Sequence, residues 1–102
     1  MYVAIRRGKA NPGSINEVSR RLRDGLVPTL RNLPGFVEYY FVNLGNDEGT
    51  SISVFETRDA AVESNRLSVN WAKQNFADIM PGPPQPSEGE ILLHARSSQE
   101  VS

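Results

Sequence analysis

The chain has 102 residues, of which 38% are hydrophobic and 23% charged, with a formal net charge of −1. This composition indicates one globular domain, with no general attraction to nucleic acid or to an anionic membrane. Cysteine is absent, which excludes disulfides and thiol chemistry, and no apolar run approaches the roughly 20 residues that span a bilayer. A strand-like segment starts at Tyr2 with no signal peptide ahead of it, so we expect a cytoplasmic protein.

The first part of the chain predicts a strand and then an amphipathic helix. Residues 2–7 are β-branched and apolar before they turn basic, as in a strand. After a turn at residues 11–13, Ser14 and Glu17 predict a capping box at the start of a helix. Pro28 predicts a kink or break after Gly25. The apolar stripe of this helix, which should pack on a sheet, comprises Ile15, Val18, Leu22, Leu26, Leu30 and Leu33.

Residues 36–44 predict a second strand that is apolar on both faces. Strict alternation places Phe36, Tyr40, Val42 and Leu44 on one face, and Val37, Tyr39 and Phe41 on the other. A polar loop at residues 45–49 then predicts a hairpin into a third strand at residues 50–56. A helix can cover only one face of this sheet, so a second subunit is the simplest cover for the other.

The last part of the chain predicts a second helix and a fourth strand. Thr57 is a suitable N-cap, and the helix should end near Met80, before the prolines of residues 81–84. We expect the final strand at residues 90–95, followed by a flexible tail at residues 97–102. The predicted inner stripe of the helix comprises Val62, Asn65, Val69, Ala72, Phe76 and Ile79.

The order β, α, β, β, α, β predicts an α+β, ferredoxin-like fold over residues 1–96. Right-handed crossovers place both helices on one face of a four-stranded antiparallel sheet. The opposite face would expose a large apolar patch, which predicts a homodimer that pairs through that face.

Several short segments resemble the dimeric α/β-barrel superfamily, in particular its antibiotic-biosynthesis-monooxygenase-like (ABM) group. They are residues 33–36 (Leu-Pro-Gly-Phe), 54–57 (Val-Phe-Glu-Thr), 70–72 (Asn-Trp-Ala) and 88–91 (Glu-Gly-Glu-Ile). The resemblance covers about residues 1–96. It implies a pocket between the helices and the sheet, and it permits activity as a cofactor-independent oxygenase of quinols.

The chain departs from two patterns within that group. Haem-degrading members resemble one another in an Asn on the first strand and an iron-binding His on the second helix. Here the first strand lacks Asn and the only histidine, His94, falls on the predicted last strand, so that role is not expected. Quinol oxygenases combine Asn, Trp, Tyr and Arg; this chain offers Asn65 or Asn70, Trp71 and Arg96, but no Tyr in the second helix.

Asn65 and His94 are the candidate catalytic residues. Asn65 lies in the apolar stripe of the second helix, where its amide either bonds nearby backbone or holds a substrate oxygen. His94 is the only side chain with an ordinary pKa near neutrality, so it is the candidate for proton transfer. The alternative for His94 is a surface or interface position. It has no partner histidine, so no metal site is expected.

Four further residues are candidates for ligand binding. Trp71 and Phe76 belong to the second helix, and Trp71 either lines the pocket or packs at an interface. Arg6 and Arg7 must point to opposite faces. The favoured interpretation is an exposed strand end; in the alternative, for which Arg6 is the candidate, one arginine lies at the pocket mouth and pairs with an anionic ligand. Tyr40 is the tyrosine that we expect near the pocket.

Three functions therefore remain open at this point. The first is a cofactor-independent monooxygenase for a small aromatic or polyketide-like substrate, with no cofactor. The second is a non-catalytic dimer that binds a small molecule, and the third is a haem-binding or haem-degrading protein.

Overall fold

The computed structural model describes residues 1–97. The predicted tail at residues 97–102 therefore lies outside the described residues except for Ser97. The elements are β1 (Tyr2–Lys9), α1 (Ile15–Arg21), a π-helical turn (Leu22–Leu26), α2 (Val27–Arg31), β2 (Phe36–Gly45), β3 (Glu48–Phe55), α3 (Arg58–Asn75) and β4 (Gln85–Glu90).

The four strands form one antiparallel sheet in the order β2-β3-β1-β4. The helices pack on one of its faces, where Leu26, Leu30 and Phe55 are almost fully buried. This arrangement confirms the predicted α+β, ferredoxin-like fold. The central strands β1 and β3 carry the residues on which the helices rest.

The sequence predicts a kink or a break after Gly25; the break is wrong, and the irregularity found there is a π-helical turn. The helix continues through the π-helical turn into α2, and Pro28 lies in the first turn of α2, where its missing N–H is tolerated. Residues four positions apart on an α-helix point in directions that differ by about 40°, so a four-residue repeat gradually moves around the helix. The wider π-helical turn offsets that drift, so the stripe stays buried at Val18, Leu22, Leu26 and Leu30.

The predicted capping box at Ser14 and Glu17 is also wrong. The Ser14 side chain makes no capping hydrogen bond, and its backbone is already helical. Glu17 instead accepts hydrogen bonds from Arg20 and Arg21, which lower the pKa of its carboxyl to about 2. Two arginines one turn away therefore compete successfully with the backbone for this carboxylate. The cap at Thr57 is confirmed, since its hydroxyl accepts a hydrogen bond from the Ala60 amide.

A β-bulge at the start of β2 corrects the predicted face of Phe36. The register with β3 shifts between Phe36 and Glu38, so one extra residue enters the strand. Phe36 therefore faces the helices together with Tyr39 and Phe41, and its ring meets Phe55 edge-on at 5.7 Å. Strict alternation could not predict this change of face.

Helix α3 is shorter than predicted and packs through smaller residues. It ends at Asn75 rather than near Met80, because Phe76 leaves the helical conformation and begins a turn. Val62, predicted to face inward, is 43% exposed. The inner face is instead formed by small and polar side chains that let the helix approach the sheet closely: Ala61, Ser64, Asn65, Ser68 and Ala72.

The last strand lies five residues earlier than predicted. β4 pairs with β1 through its backbone, from Gln85 opposite Arg7 to Glu90 opposite Tyr2, and all its side chains are exposed. An exposed edge strand needs no apolar alternation and tolerates proline, so its sequence resembles a linker. Residues 91–96 form no regular strand, and the predicted strand position of His94 is wrong.

Candidate functional site

A cavity lies between the helices and the sheet, where the ABM resemblance implies one. The cavity is half open, and the space of about 450 Å³ counted within it extends through the mouth into solvent. Its polar lining comes from Arg6, Ser51 and Ser68, and the rest is largely apolar. Prominent among the apolar lining residues are Ile15, Leu22, Leu26, Phe41, Trp71 and Phe76.

Two glycines allow aromatic side chains to form the cavity wall. A Cβ atom on Gly49 would lie 2.6 Å from the ring of Phe41, and one on Gly25 would lie 2.6 Å from Cζ2 of Trp71. Both distances are far below van der Waals contact. Phe41 and Trp71 can therefore occupy these positions only because Gly49 and Gly25 have no side chain.

Arg6 forms the polar end of the cavity. Alternation along β1 points Arg6 toward the helices, where it is 3% exposed, and points Arg7 to solvent, where it pairs with Glu48. The guanidinium of Arg6 donates three hydrogen bonds of 2.8 Å. Their acceptors are Oγ of Ser51, Oγ of Ser53 and Oδ1 of Asn65.

All three hydrogen-bond partners of Arg6 are neutral. Among the ion pairs formed within residues 1–97, none includes this guanidinium. Burial lowers the pKa of Arg6 from its ordinary value, but an arginine stays protonated in proteins. The cavity therefore contains a buried positive charge without a direct counter-ion in the described part of the chain.

Tyr39 lies beside this charge. The guanidinium carbon of Arg6 is 5.9 Å from the centre of the Tyr39 ring. The buried Tyr39 hydroxyl makes no hydrogen bond of standard geometry with any described residue. Burial raises the pKa of this phenol, and the Arg6 charge and the Ser51 hydroxyl partly oppose that rise. Tyr39 is therefore a buried neighbour of Arg6, and it is not among the residues that line the cavity.

Asn65 is buried on the inner face of α3, as predicted, but it contacts other protein groups. Its Oδ1 accepts from Arg6, and its Nδ2 donates to the backbone oxygen of Ser87, at 2.9 Å, and to the carboxylate of Glu88. It does not line the cavity. These contacts make Asn65 a positioning residue that links Arg6 to β4.

Trp71 and Phe76 line the cavity. For Trp71 the sequence had left open whether the ring lines the pocket or packs at an interface. The two rings meet edge-to-face, with centroids 4.9 Å apart and an interplanar angle of 85°. Trp71 lies near the C-terminal end of α3, and Phe76 lies just beyond the end of that helix.

Tyr40 is not near the cavity, which corrects its predicted place. Its side chain is 49% exposed on the opposite face of β2, where its hydroxyl donates to Glu38 at 2.6 Å. The neighbouring Tyr39 occupies the inner face instead. The sequence identified that the two tyrosines split between faces but not which of them points inward.

His94 follows β4 and does not line the cavity. Its proposed proton transfer stays a prediction without support from this geometry. Within residues 1–97, no group of three or more His, Cys, Asp or Glu side chains is placed to hold a metal ion. No helix in the same range is long and apolar enough to cross a bilayer.

Sequence reasoning missed Ser51, Ser53 and Tyr39 as members of the site. A signal was present in β3, where two serines alternate with Ile52 and Val54 and precede Phe55 on the inner face. Hydroxyls on the buried face of a central strand need a polar partner. Here that partner is Arg6.

Comparisons with known proteins agree with this architecture. A protein of unknown function from Nitrosomonas europaea superposes with a TM-score of 0.74 at 16% identity, covering 96% of this chain and 95% of its own. A monooxygenase from the gene ActVA-Orf6 of Streptomyces coelicolor, in complex with Nanaomycin D, superposes with a TM-score of 0.65 at 18% identity, covering 89% and 90%.

A third similar structure is a mutant of MhuD with two manganese protoporphyrin IX molecules per active site. It superposes with a TM-score of 0.70 at 17% identity and covers 95% of this chain and 100% of its own. At these identities the three structures show a shared fold. No curated protein matches the sequence.

The family assignment comes from the sequence itself. The sequence model of the family described as antibiotic biosynthesis monooxygenase (ABM) matches residues 1–67, from β1 into α3. This range contains Arg6, Tyr39, Ser51, Ser53 and Asn65. The chain therefore belongs to the ABM family.

Proposed function

We propose that this ABM protein binds a small aromatic or polyketide-like molecule in the cavity and promotes its oxidation by dioxygen without a cofactor. The observation that carries the proposal is the Arg6 guanidinium, which is buried without a direct counter-ion at the end of an apolar cavity. Most ligand pockets combine apolar walls with a few polar groups that fix orientation. Arg6 and Ser51 are such groups here.

The chemistry would depend on the electron density of the substrate. An electron-rich quinol reacts with dioxygen most readily when it has lost a proton and carries a negative oxygen. A fixed positive charge in a low-dielectric cavity stabilises that oxygen more than water does. When the ring C–H opposite such a hydroxyl is oxidised to C=O, the phenol becomes a quinone; one atom of dioxygen enters the product, and the other leaves as water together with the ring and hydroxyl hydrogens.

The remaining candidate residues take distinct roles in this proposal. Trp71 and Phe76 would flank the ring of the substrate. Asn65 would act indirectly, by holding Arg6 in place through the contact of 2.8 Å. We keep His94 as a predicted proton-transfer residue, although it lies outside the cavity lining. A protein of the same fold, the Streptomyces coelicolor monooxygenase, is described in complex with the ligand Nanaomycin D.

Oxygen consumption with a panel of electron-rich quinols tests the proposal. We expect uptake above the rate without protein, and kcat/KM about tenfold lower in Arg6→Lys, because an ammonium cannot reproduce the guanidinium fork. Arg7→Lys is the matched control, since Arg7 points to solvent from the next position of β1. Absence of uptake with every quinol, or equal activity of the two variants, would contradict the proposal.

A non-catalytic binding protein is the second candidate. It is favoured by one observation: no carboxylate or histidine of residues 1–97 lines the cavity, so a general base is not evident. Binding of an aromatic ligand that is released unchanged under oxygen would support this function. Turnover of the bound ligand would exclude it.

A haem-binding function is the third possibility, and the fold it shares with MhuD motivates it. His94, the only histidine, does not line the cavity, so this position supplies no imidazole ligand there. Titration with hemin checks it directly. No shift of the Soret band on adding protein would end the haem hypothesis.

We also propose a homodimer that pairs through the outer face of the sheet. On β2 this face exposes Tyr40, Val42 and Leu44, and after β4 the chain exposes Leu92 and Leu93 by 83% and 70%. β2 and β4 are the opposite edges of the sheet, so these are two separate sets of exposed apolar side chains. Exposed apolar patches are typical of protein interfaces. A cytoplasmic location remains a prediction from the sequence.

A further inference from the structure

We infer that Met80 is a specificity-determining residue, whose side chain limits the length of the ligand and separates the cavity from a second groove on the protein surface. This outer groove is lined by Ala72, Lys73, Phe76, Ala77, Met80 and residues 81–83. The inference rests on the proposed function and deepens it, because it names which residue sets the length of the apolar ligand.

The first argument concerns the wall between the two spaces. The cavity and the outer groove share three lining residues, Ala72, Phe76 and Met80, so these side chains form the wall. Ala72 and Phe76 are buried, and the Phe76 ring is held edge-on against Trp71. Met80 is only partly buried and lies beyond the end of α3. Methionine is flexible about three bonds, so Met80 is the part of the wall that moves most easily.

The second argument concerns the floor of the cavity beneath Met80. Gly8 of β1 pairs with Gly49 of β3, and both glycines line the cavity. A Cβ atom on Gly8 would lie 2.7 Å from Cε of Met80, as one on Gly49 would lie against the ring of Phe41. The Met80 side chain therefore reaches the sheet only because β1 has no side chain at this position.

The third argument concerns the distance between Met80 and the polar end of the cavity. Arg6 and Gly8 point to the same face of β1 and are about 7 Å apart along the strand. The Arg6 guanidinium donates to Ser53, which pairs with Ala4, so it extends away from Gly8. When a ligand places its polar group at Arg6, an apolar tail that runs along β1 therefore meets Met80.

Isothermal titration calorimetry with 4-alkylphenols of increasing chain length tests the inference. While the tail still has room, each added CH₂ should raise the affinity roughly fourfold, and this gain should stop at the length that reaches Met80. Met80→Ala shortens the wall, so the gain should continue for about two further carbons. Ile79→Ala is the matched control, because the neighbouring Ile79 lines neither the cavity nor the outer groove. That variant should keep the original length limit.

A second measurement follows Met80 in the unmodified protein and does not depend on the folding of Met80→Ala. The chain has two methionines, so labelling their methyl groups with ¹³C gives two signals, from Met1 and Met80. The Met80 signal should move little with 4-ethylphenol and more with each longer tail, whereas the Met1 signal should stay in place. Gly8→Ala identifies the Met80 signal, because the added methyl group displaces Cε of Met80.

The same length limit in Met80→Ala as in the unmodified protein would overturn the inference, as would a Met80 signal that does not respond to the longer tails. Absence of binding by every alkylphenol would also overturn it. These outcomes are separate from those of the proposed function. A length limit set by Met80 without oxygen uptake by any quinol would keep the role of Met80 and remove the oxygenase. Oxygen uptake with no effect of Met80→Ala on ligand length would do the reverse.

Discussion

At the residue scale, the site depends on the polar cluster around Arg6, in which some residues have more hydrogen-bond partners than others. Asn65 uses its carbonyl and its amide group on Arg6, Ser87 and Glu88. The Tyr39 hydroxyl, by contrast, makes no hydrogen bond of standard geometry with a described residue. Substitution of Asn65 should therefore lower the free energy of unfolding, whereas removal of the Tyr39 hydroxyl should not.

The sequence indicated that Asn65 is buried, because it falls within the inner stripe of the second helix. It could not identify Arg6 as the partner, since that contact joins residues 59 positions apart. Nor could it choose between Tyr39 and Tyr40, because the choice depends on the register of β2. The periodicity of a helix or strand predicts which way a side chain points, but contacts between different elements depend on how those elements pack together.

Tyr39→Phe should not reduce the stability of the protein. The variant removes a buried hydroxyl that has no hydrogen-bond partner among the described residues. Removing such a group is neutral or increases the free energy of unfolding, by up to about 1 kcal/mol. Urea denaturation measures the change. A loss of more than 1 kcal/mol would show that the hydroxyl has a stabilising partner.

Asn65→Ala should lower the free energy of unfolding by about 1–3 kcal/mol, because Arg6 and Glu88 would both lose a buried partner. Asn75→Ala is the control, since the Asn75 amide bonds only the exposed backbone oxygen of Trp71. That variant should change stability by less than about 0.5 kcal/mol. Equal effects of the two substitutions, measured in urea, would argue against the positioning role.

At the element scale, the structure differs from what strict periodicity of the sequence predicts at three local irregularities. They are the π-helical turn at Leu22–Leu26, the bulge after Phe36 and the polar edge strand Gln85–Glu90. Each of them depends on tertiary packing. The π-helical turn brings Gly25 against Trp71, and β4 is held by backbone pairing with β1.

Gly25→Ala should destabilise the protein even though alanine favours helices by about 1 kcal/mol. The added methyl group would lie 2.6 Å from the Trp71 ring, so the indole must move. We expect a lower melting temperature and a shift in the fluorescence of Trp71, the only tryptophan of the chain. Gly82→Ala is the control, because nothing lies within 4 Å of its added Cβ. A Gly25→Ala protein with unchanged emission would contradict the contact.

At the scale of the whole molecule, the sequence predicted the ferredoxin-like fold correctly. Apolar periodicity, proline positions and the order of elements were sufficient for that. The sequence also predicted a pocket between helices and sheet through its ABM resemblance, and the cavity lies there. The sequence could not predict which side chains line the cavity, because they come from six different elements.

The proposed homodimer predicts that a charge on the outer sheet face separates the subunits. Val42→Glu should convert the protein to a monomer at micromolar concentration, because an unpaired carboxylate would be buried in the interface. Val62→Glu is the matched control, since Val62 is similarly exposed, 43% against 39%, but lies on helix α3. Sedimentation velocity measures the mass. A Val42→Glu protein with the same mass as the unmodified protein would exclude this interface.

The most direct test of the proposed ligand site is to determine where an aromatic anion binds on the protein. In a ¹H–¹⁵N correlation spectrum recorded during titration with 2-naphthoate, we predict the largest shifts at the Trp71 indole N–H and the Arg6 Nε–H. Smaller shifts should occur along the cavity-lining part of β1 and β3. Shifts confined to the exposed face around Tyr40 and Leu44, or no shifts at saturating ligand, would contradict a ligand site between the helices and the sheet.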